Sequence, residues 1–311
     1  MKIVYFGTPD FAVESLDAIM QSRHEVAAVV TVPDRQAGRG QKVVFSPVKE
    51  YALAHSLPLL QPEKLRDEDF LRQLAAFQAD MFVVVAFRML PESVWNMPPH
   101  GTFNLHASLL PRYRGAAPIN HAIINGDTET GVTTFLLNHN IDEGQILLQE
   151  RTPIKPDDNA GSLHDRLAVM GRTLVVRTLD GIEDGTLSPM PQQGIPTLAP
   201  KIFKDDCRIH FDLTCRQAAN FVRGLSPYPA ALLTLISPQG EKILFKVFDA
   251  IAIPDPSATP GALICDQKKV LKIGVTDGFL QILTLQMSGK RKNNTEDFLR
   301  GNKLIDWKLD I

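Results

Sequence analysis

The sequence predicts an α/β protein of two domains, because its two halves show different patterns of secondary structure. In the first half, apolar β-branched runs typical of buried strands, of which Met81–Ala86 is the clearest, alternate with helical segments. In the second half, short strand-like runs are separated by turns such as Asp277-Gly278. The length of 311 residues allows two hydrophobic cores, and 44% hydrophobic with 22% charged residues is typical of a globular protein.

The first half predicts a mostly parallel, Rossmann-like sheet with helices on both faces, since strands and helices alternate along it. Pro9 suits the start of the first helix, and the stretch from Ser162 to Asp165 resembles a capping box in the last. The predicted strands are Ile3–Phe6, Val26–Val32, Met81–Ala86, Thr102–His106 and Val132–Leu137. The predicted helices are Asp10–Gln21, Ser46–His55, Phe70–Phe77, Ile119–Ile124 and Asn159–Asp184.

The second half predicts a small, OB-like β-barrel, because short strands follow one another there with little helix. Before them, Thr214 and Gln217 can cap a short helix that ends near Gly224. The predicted barrel strands are Ala231–Ile236, Ile243–Ala252, Ala262–Cys265, Val270–Val275 and Leu280–Leu285.

A linker is predicted between the two domains. The segment Gly185–Pro200 is rich in Pro, Gly, Ser and Gln, a composition typical of interdomain connections. We therefore expect domains at residues 1–184 and 207–311, joined by residues 185–206.

Cysteines and charge bear on location and partners. No apolar run approaches the roughly 20 residues of a membrane span, and Met1–Phe6 enters a strand without a signal peptide. Cys207, Cys215 and Cys265 are odd in number and widely spaced, which favours reduced thiols in the cytoplasm over disulfides or a zinc site. Residues 201–311 hold 16 Lys and Arg against 12 Asp and Glu. This basic half could meet a polyanion such as RNA, or the imbalance could have arisen by chance.

The most informative segment is the predicted strand Thr102–His106. In an extended chain residues two apart project from one face, so Asn104 and His106 point together while the intervening residues pack on the other side. An amide donor beside an imidazole suits polarising a carbonyl and handling a proton. Asp142, in a polar turn after the next strand, is a candidate to orient His106. A lone histidine on a strand is also often structural, and that alternative stays open.

Two other segments bear on nucleotide and phosphate binding. Gly7-Thr8-Pro9 stands where a dinucleotide fold carries Gly-x-Gly-x-x-Gly, and only the first glycine is present, which disfavours a nicotinamide dehydrogenase. The stretch Pro33–Lys42 is basic and glycine-rich, with Arg35, Arg39 and Lys42. Arginine forks pair with phosphate oxygens and glycines let a loop close, so this loop could contact phosphates. Its alternative is a solvated connection.

Together these residues carry a resemblance to a known family. Asn104-x-His106-x-Ser108-Leu109-Leu110-Pro111-x-x-x-Gly115, followed by Ile141-Asp142-x-Gly144, resembles the formyltransferases that use 10-formyltetrahydrofolate. The resemblance extends over nearly the whole chain. Gly7-Thr8-Pro9-Asp10-Phe11 and the loop Ala37-Gly38-Arg39-Gly40 resemble in particular the branch that formylates methionyl-tRNA.

The resemblance implies a reaction and a role for each catalytic candidate. The α-amine of methionyl-tRNA would attack the formyl carbon of 10-formyltetrahydrofolate. It implies that Asn104 donates a hydrogen bond to the oxyanion so formed, and that His106 donates there as well or carries a proton to the leaving N10. Asp142 would fix the imidazole or take a proton from the amine. This chemistry requires no metal.

The resemblance also implies the binding residues. The folate co-substrate is expected against Ser108, Leu109, Leu110, Pro111, Phe87, Met89 and Leu90. The acceptor stem of initiator tRNA is expected against Arg39, Arg35 and Lys42, and the barrel is expected to bind tRNA too. The segment Ala86–Pro91 is one residue shorter than its usual counterpart. We expect a monomer, since no heptad or long apolar helix face stands out.

Two other classes of function stay open. One is a sibling formyltransferase that acts on a sugar nucleotide or small amine with the same three catalytic residues, and the loop Ala37–Gly40 speaks against it. The other is a non-catalytic RNA-binding protein, which the intact Asn104, His106 and Asp142 disfavour.

Overall fold

A computed structural model of the protein describes residues 1–37 and 42–310. Contacts divide the chain into two units. The first comprises Met1–Gly115, Glu129–Pro153 and His164–Ala199, and the second comprises Ala116–Thr128, Ile154–Leu163 and Pro200–Ile311. The contiguous domains predicted from the sequence, 1–184 and 207–311 with their linker, stay a prediction.

The first unit is built on a mixed sheet that is mostly parallel, as predicted. Its strands are β1 (Lys2–Gly7), β2 (Glu25–Val30), β3 (Arg35–Ala37), β4 (Lys42–Val44), β5 (Leu59–Leu60), β6 (Met81–Val85), β7 (Thr102–His106), β8 (Glu129–Leu136) and β9 (Ile146–Pro153). Seven of them form one sheet in the order β5-β2-β1-β6-β7-β8-β9, while β3 and β4 pair separately. Neighbouring strands from β5 to β7 pair in parallel, and β8 pairs antiparallel with both β7 and β9.

Six of the helices begin and end within a few residues of their predicted bounds, while two short ones, at Glu92–Trp95 and Thr295–Gly301, were not predicted. The helices are α1 (Asp10–Met20), α2 (Pro47–Ala54), α3 (Glu68–Ala76), α4 (Glu92–Trp95), α5 (Pro118–Ile124), α6 (Ala160–Glu183), α7 (Cys215–Leu225) and α8 (Thr295–Gly301), with a 3-10 turn at Asp205–Cys207. The predicted cap of α6 is wrong. Asn159, not Ser162, precedes the helix: Asn159 Oδ1 accepts from the Ser162 amide at 3.0 Å, and the Ser162 hydroxyl accepts from the Asn159 amide at 3.1 Å.

Packing on the two faces of the sheet positions the end of β7. Phe6, Val84 and Asn104 lie side by side on one face through the β1–β6–β7 register. Phe6 and Val84 belong to a buried core on that face, whereas Asn104 stands at its edge. On the other face Leu105 is 3% exposed and packs so closely on Gly171 of α6 that a Cβ there would lie 2.5 Å from a leucine methyl group. Apolar packing therefore fixes β7 and leaves its polar side chains at the sheet edge.

The second unit is an antiparallel sheet that forms a nearly closed barrel, as predicted. Its strands are β10 (Ala231–Ile236), β11 (Lys242–Pro254), β12 (Leu263–Cys265), β13 (Leu271–Val275), β14 (Gly278–Met287), β15 (Asn293–Asn294) and β16 (Lys308–Leu309). The order is β12-β13-β14-β11-β10-β16, with β15 beside β14. Phe245, Ile282 and Leu285 lie in its core together with Val222 of α7. The elements α8, β15 and β16 were not predicted from the sequence.

Two expectations about location can be compared with the structure. Within residues 1–37 and 42–310, no helix has the length and apolar character needed to cross a bilayer. The thiols of Cys207, Cys215 and Cys265 are free, and the first two are buried.

The cap of α7 gives a prediction about stability. The Thr214 hydroxyl accepts from the Gln217 amide at 3.2 Å, and the Gln217 side chain accepts from the Thr214 amide at 2.9 Å. We expect Thr214→Ala to lower the free energy of unfolding by about 1 kcal/mol, because it removes one partner of this capping box. Thr214→Ser should retain wild-type stability. Denaturant unfolding of the three proteins checks this, and equal stability of Thr214→Ala and wild type would contradict it.

Candidate active site

Asn104 and His106 lie on the same face at the carboxyl end of β7, as the period-two argument predicted. Asn104 is flanked by Val84 on β6 and by Phe135 on β8. Its side chain is half-buried and makes no hydrogen bond to any residue that the structure describes. The amide is thus available to a ligand at the carboxyl ends of the strands, which is the usual place for ligands in such folds.

The His106 ring is held from two sides. Its Nε2 lies 2.8 Å from the carbonyl oxygen of Tyr113, which can only accept, so this nitrogen carries a proton. Its Nδ1 lies 3.8 Å from Oδ2 of Asp142, too far for a hydrogen bond but within ion-pair range. In the neutral ring Nδ1 therefore keeps its lone pair and faces the carboxylate. The ring itself is buried, with the residue 6% exposed.

Asp142 reaches His106 from a turn with an unusual backbone. Its φ is +54°, in the left-handed region that residues other than glycine rarely adopt. Its Oδ2 also accepts a hydrogen bond from the Gly115 amide at 2.8 Å. Gly144 makes the turn possible, because a Cβ there would lie 1.5 Å from the carbonyl oxygen of Leu136. The structure thus brings together Asn104, His106 and Asp142, and their catalytic role stays a prediction.

Residues that the sequence analysis did not single out contact this turn. The Gln192 Nε2 donates to the carbonyl oxygens of Asp142 and Gly144, at 2.8 and 2.9 Å. The Gln192 Oε1 accepts from Arg114, whose Nη1 also donates to Glu143 at 2.6 Å. Arg114 stands beside Gly115 in the motif that carries the family resemblance, so its position in the sequence was an available signal. Gln192 lies in a segment whose composition indicates a linker, so no local pattern identified it.

The loop after β7 carries four residues predicted to border the folate, Ser108, Leu109, Leu110 and Pro111. All but the half-buried Leu109 are buried. The Ser108 carbonyl accepts from the Thr133 hydroxyl at 2.6 Å, and the Leu110 carbonyl accepts from Gln149 at 2.9 Å. Leu110 packs in a small core with Phe135. The carbonyls of Leu109 and Pro111 accept from the amides of Arg112 and Thr197, at 3.0 and 3.3 Å. All four carbonyls are therefore already bonded within the protein, and the predicted contact with folate stays a prediction.

The loop after β6 carries the other predicted folate residues, Phe87, Met89 and Leu90. Leu90 is buried in the core under β6, Phe87 contacts the Phe6 ring at 5.7 Å between centroids, and Met89 is 69% exposed. Between them, Arg88 Nη1 donates to the carbonyl oxygen of Glu63 at 2.8 Å. Burial, and secondarily the charge of Arg35, lower the pKa of the Arg88 guanidinium. Met89 is the most accessible of the three predicted residues.

Two of the three predicted tRNA-contacting residues belong to the strands β3 and β4. Arg39 lies outside the described residues, Arg35 is exposed at the start of β3, and Lys42 begins β4. Just before β3, Asp34 accepts from Lys49 Nζ of α2 at 2.6 Å and from Gln61 at 2.9 Å. These two hydrogen bonds, that from Gln61 first, lower the pKa of Asp34. A partly buried ion pair therefore fixes one end of this hairpin.

A group with the geometry to hold a cation was not anticipated from the sequence. Within the part of the chain that the structure describes, His24, Asp180 and Glu183 form the only such group. These residues are far apart in the sequence, so no spacing could indicate them. Arg23 already pairs with Asp180 at 2.8 Å, and the Met1 ammonium pairs with Glu183 at 2.5 Å. The carboxylates thus have cationic partners within the protein.

Comparison with known families agrees with this fold. A model of the formyl transferase family matches residues 1–179, and a model of the formyl transferase C-terminal domain matches residues 201–303. Together they account for most of the chain. The chain therefore belongs to the formyl transferase family, which confirms the resemblance found from the sequence.

Two curated relatives are similar to this chain over nearly its whole length. A methionyl-tRNA formyltransferase of Bacteroides fragilis is 51% identical over 98% of this chain and 96% of its own length. Another, from Porphyromonas gingivalis, is 47% identical over 97% of this chain and 95% of its own.

Solved structures support the fold at lower identity. An N-formyltransferase of Helicobacter canadensis, in complex with folinic acid and dTDP-3-aminofucose, gives a TM-score of 0.63 at 20% identity, covering 94% of this chain and 100% of that one. HypX of Aquifex aeolicus, in complex with tetrahydrofolic acid, gives 0.63 at 17% identity, covering 96% of this chain and 47% of that one.

The Gly144 position gives a prediction about the Asp142 turn. We expect Gly144→Ala to lower the free energy of unfolding by about 2 kcal/mol or more, because the new methyl group meets the Leu136 backbone. Gly301→Ala is the control, since a Cβ there meets no atom within 4 Å, and its effect should be at most about 0.5 kcal/mol. Denaturant unfolding measures both, and a Gly144→Ala protein as stable as the control would contradict the expectation.

Proposed function

We propose that the protein transfers the formyl group of 10-formyltetrahydrofolate to the α-amine of initiator methionyl-tRNA, acting as a monomer in the cytoplasm. The observation that carries the proposal is the meeting of Asn104, His106 and Asp142 at one sheet edge. Relatives about half identical over nearly the full chain, each a methionyl-tRNA formyltransferase, support the choice of acceptor. The Helicobacter canadensis N-formyltransferase solved with dTDP-3-aminofucose is far more distant, at 20% identity.

In the proposed mechanism Asn104 stabilises charge on the formyl oxygen. When the amine attacks the formyl carbon, negative charge develops on that oxygen. The Asn104 amide makes no hydrogen bond within the described residues, so its N–H can donate there without first breaking a contact. A single donor of this kind lowers the barrier by about 3 kcal/mol in comparable sites. The unused amide is also what makes the site fit a formyl donor.

His106 and Asp142 would move the proton. The reaction removes one proton from the attacking amine and returns one to N10 of the folate as the C–N bond to the formyl group breaks. The Tyr113 carbonyl holds a proton on His106 Nε2, so Nδ1 is the nitrogen that can accept and release one. Asp142 faces that nitrogen at 3.8 Å and can pair with the imidazolium or receive the proton itself. The pair would thus carry the proton from the amine to N10.

The substrates would lie on different parts of the chain. We place the folate beside Leu109 and the accessible Met89, with the buried residues of the two loops as the support beneath. The acceptor stem would meet the hairpin of β3 and β4 through Arg35, Arg39 and Lys42. The barrel would add a second, sequence-independent contact to the tRNA. Its support is the excess of basic residues over acidic ones in residues 201–311.

The direct test is formation of N-formylmethionyl-tRNA. The protein should produce it from methionyl-tRNA and 10-formyltetrahydrofolate, and should not formylate a dTDP-linked amino sugar offered at the same concentration. Turnover with the sugar alone would identify a sibling enzyme. Tight tRNA binding without turnover of either acceptor would identify a non-catalytic RNA-binding protein.

The catalytic proposal predicts the effect of three substitutions. Asn104→Ala, His106→Ala and Asp142→Ala should each lower kcat by at least about 100-fold, the scale of a lost oxyanion donor or acid–base group. The KM values for tRNA and folate should change far less, because these side chains act on the reacting atoms. Steady-state formylation assays measure both constants. Near-normal kcat in the His106→Ala protein would contradict the mechanism.

The tRNA proposal predicts the effect of removing the charge of Arg39. Arg39→Ala should lower kcat/KM for methionyl-tRNA about 10-fold and flatten its dependence on salt, because fewer counterions are released on binding. Arg39→Lys should recover only part of this loss, since an ammonium lacks the planar fork. The folate KM should stay constant.

Arg72→Ala is the matched control for Arg39, since Arg72 is exposed on α3 and its one ion pair within the described part of the chain is with Asp69. It should leave activity and the salt slope unchanged. If Arg39→Ala behaves like this control, the loop is a solvated connection rather than a tRNA contact.

A further inference from the structure

We infer that Gln192, oriented by Arg114, is a positioning residue that holds the Asp142 carboxylate toward His106. The inference rests on the proposed function, in which Asp142 and His106 share the proton. Gln192 does not contact the imidazole. It acts on the backbone of the turn that carries Asp142, so its effect on the reaction is indirect.

The side chain of Gln192 is fully engaged and its orientation is fixed. Its Nε2 donates to two carbonyl oxygens, those of Asp142 at 2.8 Å and Gly144 at 2.9 Å. Its Oε1 accepts from Nη2 and Nε of Arg114 at 2.7 and 3.2 Å. Because a guanidinium can only donate and a carbonyl can only accept, the amide cannot be turned over without losing all four contacts. Arg114 therefore sets which end of Gln192 faces the turn.

The turn needs such support. Asp142 lies at φ +54°, a conformation that its own backbone disfavours and that surrounding contacts must maintain. The Gln192 amide donates to the residues on both sides of Glu143. Arg114 Nη1 donates to the Glu143 carboxylate itself at 2.6 Å. Three consecutive residues of the turn are thus tied to the Arg114–Gln192 pair.

Arg114 also belongs to the loop whose Tyr113 carbonyl bonds to His106 Nε2, and its backbone is held by residues that follow Gln192. The Arg114 amide donates to the Thr197 carbonyl at 2.9 Å, and the Ala199 amide donates to the Arg114 carbonyl at 2.7 Å. The next residue, Gly115, donates from its amide to Asp142 Oδ2 at 2.8 Å. Without the Gln192 amide the carboxylate would still accept from Gly115, but the turn that carries it would lose two backbone hydrogen bonds. We therefore expect the carboxylate to move away from Nδ1 while the folate and tRNA contacts stay as they are.

The test compares Gln192→Glu with Gln193→Glu. The first keeps the size of the side chain and an acceptor for Arg114, but it replaces the donating NH2 by an oxygen that repels two carbonyls. The second adds the same charge at the exposed neighbouring position, whose side chain has no hydrogen bond within the described residues. We expect kcat of Gln192→Glu to fall about 10- to 100-fold, as for a small misplacement of a catalytic group. The KM values should change less than about twofold, and Gln193→Glu should match wild type on the same scale.

A second readout does not depend on turnover. The imidazole nitrogen resonances of His106, assigned by comparison with His106→Ala, report its protonation and its partner at Nδ1. We expect these resonances to change in Gln192→Glu and to stay as in wild type in Gln193→Glu. Arg114→Lys, which keeps the charge and loses the fork, should show a smaller change in the same direction.

The outcomes separate the two proposals. If Asp142→Ala is inactive while Gln192→Glu keeps wild-type kcat and wild-type His106 resonances, Gln192 is only structural and this inference fails. If Asp142→Ala itself keeps wild-type turnover, the proposed mechanism fails first. Should Gln192→Glu unfold, the Arg114→Lys protein decides, and unchanged His106 resonances in it would overturn the inference.

Discussion

The orientation of the His106 ring depends on two loops at once, because each of its nitrogens faces a different one. The loop after β7 supplies the Tyr113 carbonyl to Nε2, and the turn between β8 and β9 supplies Asp142 to Nδ1. Tyr113 and Asp142 both have positive φ, at +61° and +54°. Both loops therefore hold a disfavoured backbone conformation, and the free energy for this must come from contacts elsewhere in the unit.

Those contacts come largely from buried strands and from one extended segment. Leu105 fixes β7 against α6, and Phe135 lies beside Asn104 on β8. The Thr197 hydroxyl accepts from the Tyr113 amide at 2.9 Å, while Gln192 bonds to the Asp142 turn. The segment around these two residues thus restrains both loops, although it has no helix or long strand of its own. In this segment hydrogen bonds to backbone groups fix the loops, whereas in the sheet side-chain packing fixes the strands.

Much of the fold could be predicted because it follows from local patterns. Alternating strands and helices indicated the parallel sheet, and short strands with turns indicated the barrel. Asn104 and His106 were identified together because side chains alternate along a strand. Elements without such a pattern were missed: β9, with charged and apolar residues mixed, and β16, which is two residues long and pairs with the distant β10. The cap of α6 was misplaced because Asn159 and Ser162 can each accept from the other's amide.

The parts of the site that could not be predicted depend on contacts between distant residues. Gln192 bonds to residues about fifty positions earlier, and nothing in its neighbours distinguishes it from Gln193. The Lys49–Asp34 ion pair under the hairpin likewise follows from the fold rather than from a motif. One consequence concerns how the protein could be shortened. A chain cut after residue 184, where the sequence places the end of the first domain, would keep Asn104, His106 and Asp142 but lose every bond from Gln192 and Thr197. A chain cut after Ala199 would keep them, so residues 185–199 belong structurally with the first unit although their composition resembles that of a linker.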